Sequence, residues 1–269
     1  MQGSSTRALD EVAKATDDQL SRGADAATLG DELFSLARAM DGAHSLRRAL
    51  AEPAVPAEAK ARLLRSLFGK RLSKAALAVA EVGTAQRWSS SRDFSDALEQ
   101  ASVAAHVARA DAQGRLDALE DSLFRFARIT EASSGLRDAL GDPAAPWEAK
   151  RQLVANLVGD KVDDATATLL GQAVAGRHRS VASVLAMYQR VAAQRRNTMI
   201  ATVWVARLLT EEHRERLARA LSGQHGKEVH LNVVVDPTVL GGVRVSIGDE
   251  VIDSTVESRL RQAQRRLER

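Results

Sequence analysis

The pattern of hydrophobic and polar positions divides the chain into a long helical part and a short part with alternating strands. Up to residue 197, apolar side chains recur at helical spacing and form stripes that need a partner to cover them. Helices are predicted near residues 5–20, 25–50, 57–68, 72–86, 93–112, 115–132, 134–141, 147–158, 162–175 and 179–196.

The helical part contains one block of sequence twice, at an offset of 90 residues without a gap. Residues 31–69 read DELFSLARAMDGAHSLRRALAEPAVPAEAKARLLRSLFG, and residues 121–159 read DSLFRFARITEASSGLRDALGDPAAPWEAKRQLVANLVG. Two copies with so long a period indicate duplicated domains rather than a solenoid of short units. Each copy is therefore expected to fold as a bundle of short helices.

Proline and glycine set the helix boundaries inside each copy. The acidic residue before Pro53 or Pro143 is pushed out of the helical region, which ends one helix. Pro56 and Pro146 are then expected to open the next helix. The same helix is predicted to close at Gly69 and Gly159 in a left-handed cap.

A long helix over residues 93–112 is predicted to join the two copies. It keeps one apolar face over four turns, formed by Phe94, Leu98, Ala101, Ala105 and Ala108. It ends the first copy and, by the 90-residue offset, takes the place in the second copy that the helix at 5–20 has in the first. We therefore expect it to be the hinge between the copies.

After residue 197 the hydrophobic period changes from helical to alternating. Strands are predicted over 199–206, 229–235, 243–247 and 251–252, with Thr210 as the N-cap of an intervening helix. Residues 254–257 read STVE, a capping box before a terminal helix with an Arg-rich side. The predicted fold is mainly α: two homologous helical bundles, at 1–110 and at 92–197 with a shared helix, followed by a small α/β C-terminal domain at 198–269.

Composition narrows the possible functions. The chain has 269 residues, a net charge of only +3 and no Cys, which excludes disulfides, thiolate catalysis and Cys-based zinc sites. No apolar stretch approaches the roughly 20 residues that a membrane span requires. The motifs GxxxxGK[ST], GxGxxG, HExxH and GxSxG are all absent from the sequence, so we expect neither catalytic activity nor a cofactor.

Several polar residues have both a chemical and a structural interpretation. Asp236, Asp249 and Asp253 are close in sequence and could hold a cation, but their Pro and Gly neighbours favour turns and caps. Gly241-Gly242 enters a strand, which favours a tight turn over a phosphate cradle. His178 is interpreted as surface, and Lys60 and Lys150, which recur with Glu58 and Glu148, as a solvated helix face rather than a partner contact.

The stretch from Val229 to Leu260, VHLNVVVDPTVLGGVRVSIGDEVIDSTVESRL, resembles the C-terminal signature of the delta subunit of F-type ATP synthases, the family of the oligomycin-sensitivity-conferring protein. Gly176-Arg177, residues 203–209 and residues 143–150 also resemble the family pattern, so the resemblance covers about 110–269. Members of the family usually have one helical domain, whereas this chain carries an additional homologous one. The matching signature positions are Asp236, Pro237, Leu240, Gly241, Gly242, Gly248, Asp249 and Asp253.

The resemblance implies a non-catalytic peripheral-stalk subunit that links the F1 head to the membrane sector and resists rotor torque during ion-driven ATP synthesis. It implies a peripheral location at the cytoplasmic face of the cell membrane. It also implies two partners: N-terminal helices of the alpha subunits, in a groove between the first and fifth helices of the helical domain, and a b-type stalk subunit at the C-terminal domain. The second copy is the better match to the family pattern, and its apolar residues that either line the groove or belong to the core are Val103, Val107, Leu169, Leu170 and Val174.

The C-terminal basic residues and the repeat each lead to a further expectation. Arg259, Arg261 and Arg265 form a basic face that could contact an acidic stalk helix or nucleic acid. A helical adaptor or nucleic-acid-binding module is therefore the alternative, although near-neutral charge and few interleaved aromatics weaken it. From the repeat we hypothesise that each bundle engages a different alpha N-terminal helix.

Overall fold

The structure, a computed structural model, describes residues 3–177, 180–239, 241–247 and 250–253. The chain forms two compact units, which we call the helical unit (residues 1–193) and the α/β unit (residues 194–269). The described part is mainly helical, as the sequence predicts.

The helical unit consists of short helices in two repeats that share one long helix. The first repeat comprises α1 (Gly3–Ser21), α2 (Ala26–Gly42), α3 (His44–Ala51), α4 (Ala57–Phe68) and α5 (Lys74–Ala85). The shared helix is α6 (Ser91–Ala112). The second repeat continues with α7 (Leu116–Ala132), α8 (Ser134–Gly141), α9 (Trp147–Val158), a 3-10 turn (Gly159–Lys161), α10 (Asp164–Ala173) and α11 (Val181–Asn197).

Two local predictions in the first repeat are wrong. The helix predicted over 25–50 is two helices, because the backbone leaves the helical region at Ala43 (φ −129°, ψ 86°). Gly69 has right-handed φ and ψ of −61° and −19°, so the left-handed cap predicted there does not form. Its repeat counterpart Gly159 has a positive φ of 52° but a ψ of −140°, so the left-handed helical cap predicted there does not form either. Pro56 and Pro146 lie one position before the helix start, as N-cap residues.

Two hydrophobic cores lie side by side in the helical unit. The first is formed by α1–α6 and includes Leu33, Met40 and Leu98, which are fully buried. The second is formed by α6–α11 and includes Leu119, Leu169 and Tyr188. The two repeats thus have a core each, with α6 belonging to both.

The α/β unit contains β1 (Thr198–Val205), α12 (Glu211–His225), β2 (Glu228–Val235), β3 (Val243–Ile247) and β4 (Glu250–Asp253). The sheet order is β2-β1-β3-β4, with β1 and β2 parallel and the other pairs antiparallel. The predicted alternation holds on β1, where Ala201, Val203 and Val205 are buried against Leu221 of α12. Thr210 caps α12 by accepting a hydrogen bond from the backbone N–H of His213, as predicted. The predicted capping box at 254–257 and the helix after it lie outside the described residues.

Candidate partner-binding surfaces

Helix α6 is buried on two faces, one for each core. Phe94, Leu98 and Ala105 pack into the first core, and Val103 and Val107 pack into the second. The apolar face predicted for this helix is confirmed, since all five of its side chains are less than a tenth exposed. A helix that supplies two cores cannot be removed from either repeat without exposing apolar surface.

A third, polar stripe runs along α6 between these two faces. Ser95, Glu99, Ser102 and His106 are at most 1% exposed, and their spacing places them on one side of the helix. Buried polar groups are costly unless they are hydrogen-bonded, so each needs a partner in a neighbouring helix. The partners come from both repeats, which makes the stripe the junction between them. We call it the junction seam.

Arg177 forms ion pairs with three carboxylates at the junction seam. Its side chain is only 4% exposed, and its guanidinium nitrogens lie 3.0 Å from Asp41, 3.2 Å from Asp96 and 3.4 Å from Glu99. Its carbonyl oxygen also accepts a hydrogen bond from the guanidinium of Arg92. Asp41 is at the end of α2, so the guanidinium ties the first repeat to α6 and to the segment before α11.

Tyr188 of α11 reaches the same carboxylate from the second core. Its hydroxyl donates a hydrogen bond of 2.8 Å to Glu99, which is buried with it. Burial raises the pKa of Tyr188 well above its ordinary value, and the negative charge of Glu99 and the hydrogen bond to it act in the same direction. The phenol is therefore held neutral and serves as a donor.

His106 continues the junction seam toward α10. Its Nε2 lies 3.3 Å from Asp31 of α2 and 3.3 Å from the side-chain amide of Gln172, which also accepts a hydrogen bond from Ser102. Helix α2 approaches this ring closely because residue 30 is glycine: a Cβ there would lie 2.6 Å from the imidazole Nε2. The close approach of α2 to α6 thus depends on the missing side chain.

An aromatic contact completes the junction between the repeats. The ring of Phe34 on α2 lies 6.1 Å from that of Trp147, at the first position of α9, and the guanidinium of Arg38 stacks over the indole at 3.8 Å. The indole N–H donates to the carbonyl oxygen of Gly171 at 2.8 Å, which fixes its orientation. Phe34, Arg38 and Asp41 therefore form one stripe of α2 that faces the second repeat; we call it the α2 stripe.

The five apolar residues predicted either to line a partner groove or to belong to the core are all in the second core. Each is at most 1% exposed and packs inside the cluster built on α6 and α10: Val103, Val107, Leu169, Leu170 and Val174. In this structure they are core side chains, so they are not available to an external helix without rearrangement.

The signature positions that the structure describes lie in the α/β unit: Asp236, Pro237, Gly241, Gly242 and Asp253. The Asp236 carboxylate accepts hydrogen bonds from the backbone N–H and the hydroxyl of Thr238, which lower the pKa of Asp236 below its ordinary value. The sequence analysis favours this turn rather than a cation site, and the structure contains the turn. Pro237 follows in that turn, and Gly241 and Gly242 have φ of 64° and 81° just before β3, as a tight turn requires.

The remaining predicted positions lie at or beyond the limits of the described residues. Asp253 is the last residue of β4. The other predicted positions are all outside the described residues: the signature residues Leu240, Gly248 and Asp249, the basic residues Arg259, Arg261 and Arg265, and His178.

The expectation of a solvated face around the repeated lysines is wrong. Lys60 and Lys150 are only 3% and 5% exposed, so both lie among the buried residues of their helices. Burial lowers the pKa of Lys60, and the nearby charge of Glu52 opposes this shift in part.

The junction seam was not identified from the sequence, although a signal was present. Positions 95, 99, 102 and 106 are polar at helical spacing between two apolar faces of α6, a pattern typical of a buried hydrogen-bonded seam. Arg177 was noted only as part of the family pattern. The difference between Trp147 and its repeat counterpart Ala57 was a further signal, because only the second repeat has an indole for α2 to pack against.

Within the described ranges, no three His, Asp or Glu side chains gather as they would around a metal ion. The same part of the chain has no helix with the length and apolar character to span a bilayer.

Comparison with known proteins identifies the family. The family described as "ATP synthase delta (OSCP) subunit" matches residues 101–267, which include most of the second repeat and the α/β unit. Proteins named "ATP synthase subunit delta" match over nearly the whole chain. The one from Kineococcus radiotolerans is 42% identical and aligns with 93% of this chain and 92% of its own length.

Two further relatives with the same name show that the extra repeat is shared. The protein from Thermobifida fusca is 41% identical and the match covers 99% of both chains, and the one from Streptomyces coelicolor is 43% identical over 90% of this chain and 89% of its own. A chain of the Toxoplasma gondii mitochondrial ATP synthase hexamer, solved by cryo-EM, covers 62% of this chain and 96% of its own at 20% identity, with a TM-score of 0.28 that is too low to compare positions.

These relatives give no support to the alternative of an adaptor or nucleic-acid-binding module. The chain belongs to the ATP synthase delta (OSCP) subunit family and is a non-catalytic peripheral-stalk subunit of the F-type ATP synthase.

Proposed function

We propose that this chain ties the catalytic head to the membrane-anchored arm by two separate contacts. The helical unit binds an N-terminal helix of an alpha subunit, and the α/β unit with its C-terminal basic residues Arg259, Arg261 and Arg265 binds the b-type stalk subunit. The chain then works at the cytoplasmic face of the cell membrane and holds the head still against the torque of the rotor.

The observation that carries this proposal is the junction seam. A static tie has to transmit force between partners without bending, and α6 is buried in two cores at once. The ion pairs of Arg177 and the hydrogen bond of Tyr188 with Glu99 connect the repeats across this helix. We interpret residues 1–110 and 92–197 as two bundles that act as one body.

The junction also supports an assignment of the alpha helix to the first repeat. In the second repeat, α6 contacts α2 through His106 and Asp31, and Gln172 of the fifth helix, α10, hydrogen-bonds to the same imidazole. The repeat counterparts of Glu99 and Gln172 in the first repeat are Leu9 of α1 and Val82 of α5, which are half-buried apolar side chains. We therefore assign the alpha helix to the α1/α5 face, with one site per chain instead of the two in our earlier hypothesis.

A calorimetric titration on the full-length chain tests this assignment. The probe is a synthetic peptide of the first ~20 residues of the alpha subunit, long enough for about five helical turns. We expect one peptide per chain and at least about tenfold weaker binding to Val82→Glu, because a charge would enter an apolar contact. The matched control is Leu67→Glu at an exposed leucine of the same repeat. Two peptides per chain, or equal binding to both variants, would refute the assignment.

The full-length chain is essential for this experiment. A cut between residues 110 and 111 would separate α6 from the second repeat and remove Val103 and Val107 from its core. A lack of peptide binding by such a fragment would reflect a damaged fold rather than a missing contact. A separate titration with the C-terminal part of the b-type subunit should show binding that the alpha peptide does not compete with.

A further inference from the structure

An open pocket lies in the first repeat between the short helix α3 and helix α4. Its volume of about 630 Å³ falls within the range of small-molecule sites. Its lining is mainly apolar and includes Ala49 of α3, Val55 of the connecting loop and Leu63 of α4. Two basic side chains, Arg48 of α3 and Lys60 of α4, also line it. We call this site the α3/α4 pocket.

Lys60 is a buried cation whose charge is only partly balanced. It is 3% exposed, and it lines both the α3/α4 pocket and a smaller neighbouring pocket of about 250 Å³. Within the described residues its ammonium has no hydrogen bond and no ion pair, and the charge that acts on it is that of Glu52, which also lines the pocket. A buried charge is costly unless it is paired. An anion in the pocket would therefore stabilise the charged form of Lys60.

Comparison with the second repeat separates a structural role of this lysine from a binding role. Lys60 recurs as the buried Lys150, and the acidic residue that follows α3 recurs after α8. Arg48 does not recur, since its counterpart is Asp138. These three positions thus carry two cations and one carboxylate in the first repeat, but one cation and two carboxylates in the second. The surplus of positive charge is particular to the first repeat.

The lining also indicates the kind of anion. Among the described residues that form it, none is a Phe, Tyr or Trp on which a nucleobase could stack. The backbone N–H groups of Ala54 and Val55, in the loop between the two helices, already donate to Glu52 and so do not form a cradle for phosphate. Apolar walls instead suit an aliphatic chain, and a lysine with an arginine suits a carboxylate. These features favour a small aliphatic monocarboxylate.

We propose that the α3/α4 pocket is a binding site for a small aliphatic monocarboxylate, with the carboxylate paired with Lys60 and Arg48 and the chain packed against Ala49, Val55 and Leu63. The site lies on other helices than the α1/α5 face assigned to the alpha helix. It goes beyond the proposed function and is tested on the purified chain without any other subunit.

Calorimetric titration of octanoate into the full-length chain, below the micellar range of octanoate, tests the proposal. We expect saturable binding of one octanoate per chain. Octanol, which has the same chain without the charge, and butyrate, which lacks four methylene groups, should each bind at least about tenfold more weakly. A photoreactive diazirine derivative of octanoate should label residues 44–63, and mass spectrometry identifies the labelled peptide.

Variants taken from the repeat comparison give the second readout. Arg48→Asp introduces the residue of the second repeat at an exposed position and should weaken octanoate binding at least about tenfold. Arg62→Asp is the matched control, because it makes the same charge change at an exposed arginine of α4 outside the lining, and it should bind as the unchanged chain does. Lys60→Met should also lose binding, with circular dichroism to confirm that its helices are intact.

Three results would overturn the inference. The first is no saturable binding of octanoate, which is also the result expected if the pocket instead accepts an acidic side chain of a partner protein. The second is equal binding by Arg48→Asp and Arg62→Asp. The third is equal binding of octanol and octanoate, since the cations would then have no role. Each of these results would leave the proposed function intact.

Discussion

Replacing Arg177 by methionine should destabilise the helical unit by about 3 kcal/mol. Removing one partner of a buried ion pair typically costs about 3–5 kcal/mol, because the other charge is left buried without compensation. The lower end applies here, since the side chains of Asp41 and Asp96 remain about one-fifth exposed to water, whereas that of Glu99 is 1% exposed. Glu99 also keeps its hydrogen bond from Tyr188.

The assay is urea unfolding followed by the helical circular dichroism signal, with the free energy of unfolding taken from the midpoint and slope. Arg125→Met is the matched control, because Arg125 pairs with Asp121 at 3.2 Å on the exposed surface of α7 and should contribute no more than about 0.5 kcal/mol. The double variant Arg177→Met/Glu99→Gln should lose less free energy of unfolding than the sum of the two single variants, because it removes both members of the Arg177–Glu99 ion pair and leaves neither charge without the other. A cost for Arg177→Met no larger than that of the control would refute our account of the junction seam.

Three further results follow from the structure. Tyr188 is the only tyrosine in the chain, so the near-ultraviolet absorbance of tyrosinate reports its ionisation alone. The pKa of Tyr188 is raised in the folded protein, so its stabilising contribution is fully present below the unfolded pKa of about 10 and is lost as pH rises through the folded pKa. Ionisation of Tyr188 should therefore coincide with loss of the helical circular dichroism signal. Ionisation near pH 10 with the helices intact would contradict this. Gly30→Ala should lower the free energy of unfolding in urea by about 1–3 kcal/mol, because the added Cβ would meet His106. Gly135→Ala is the control and should be neutral or stabilising, because its added Cβ meets nothing within 4 Å. Equal effects of the two variants would refute the close approach of α2 to α6. Gly242→Val should speed proteolysis of the α/β unit, since φ of 81° strains a β-branched residue by about 1–3 kcal/mol, and unchanged proteolysis would argue against that turn.

Helical periodicity predicted most of the fold because packing and propensity agree locally. The faces of α6 and β1 follow directly from spacing, and Thr210 was identified from its position before two acidic residues. The break at Ala43 was missed because no proline or glycine marks that position itself. The prediction of a left-handed cap at Gly69 was wrong, because glycine permits that conformation without requiring it.

Contacts between distant residues explain what the sequence did not reveal about the site. Glu99 and Tyr188 are 89 residues apart, and a glutamate in a helix is ordinarily interpreted as solvent-exposed unless its partner is known. The same holds for the lysines at 60 and 150, which are 3% and 5% exposed although a lysine on a helix is ordinarily interpreted as solvated. Apolar spacing likewise does not distinguish a core residue such as Val103 from one that lines a groove. The repeat pattern also does not predict that Phe34 is buried whereas its counterpart Phe124 is exposed.

The central claim is that this chain holds the head to the membrane arm. Its most direct test is to measure ion-driven ATP synthesis in inverted membrane vesicles from cells that lack this chain. The account predicts that synthesis is lost, that the head washes off with its ATP hydrolysis intact, and that adding back the full-length chain restores synthesis. Unchanged synthesis in vesicles without the chain would contradict the account.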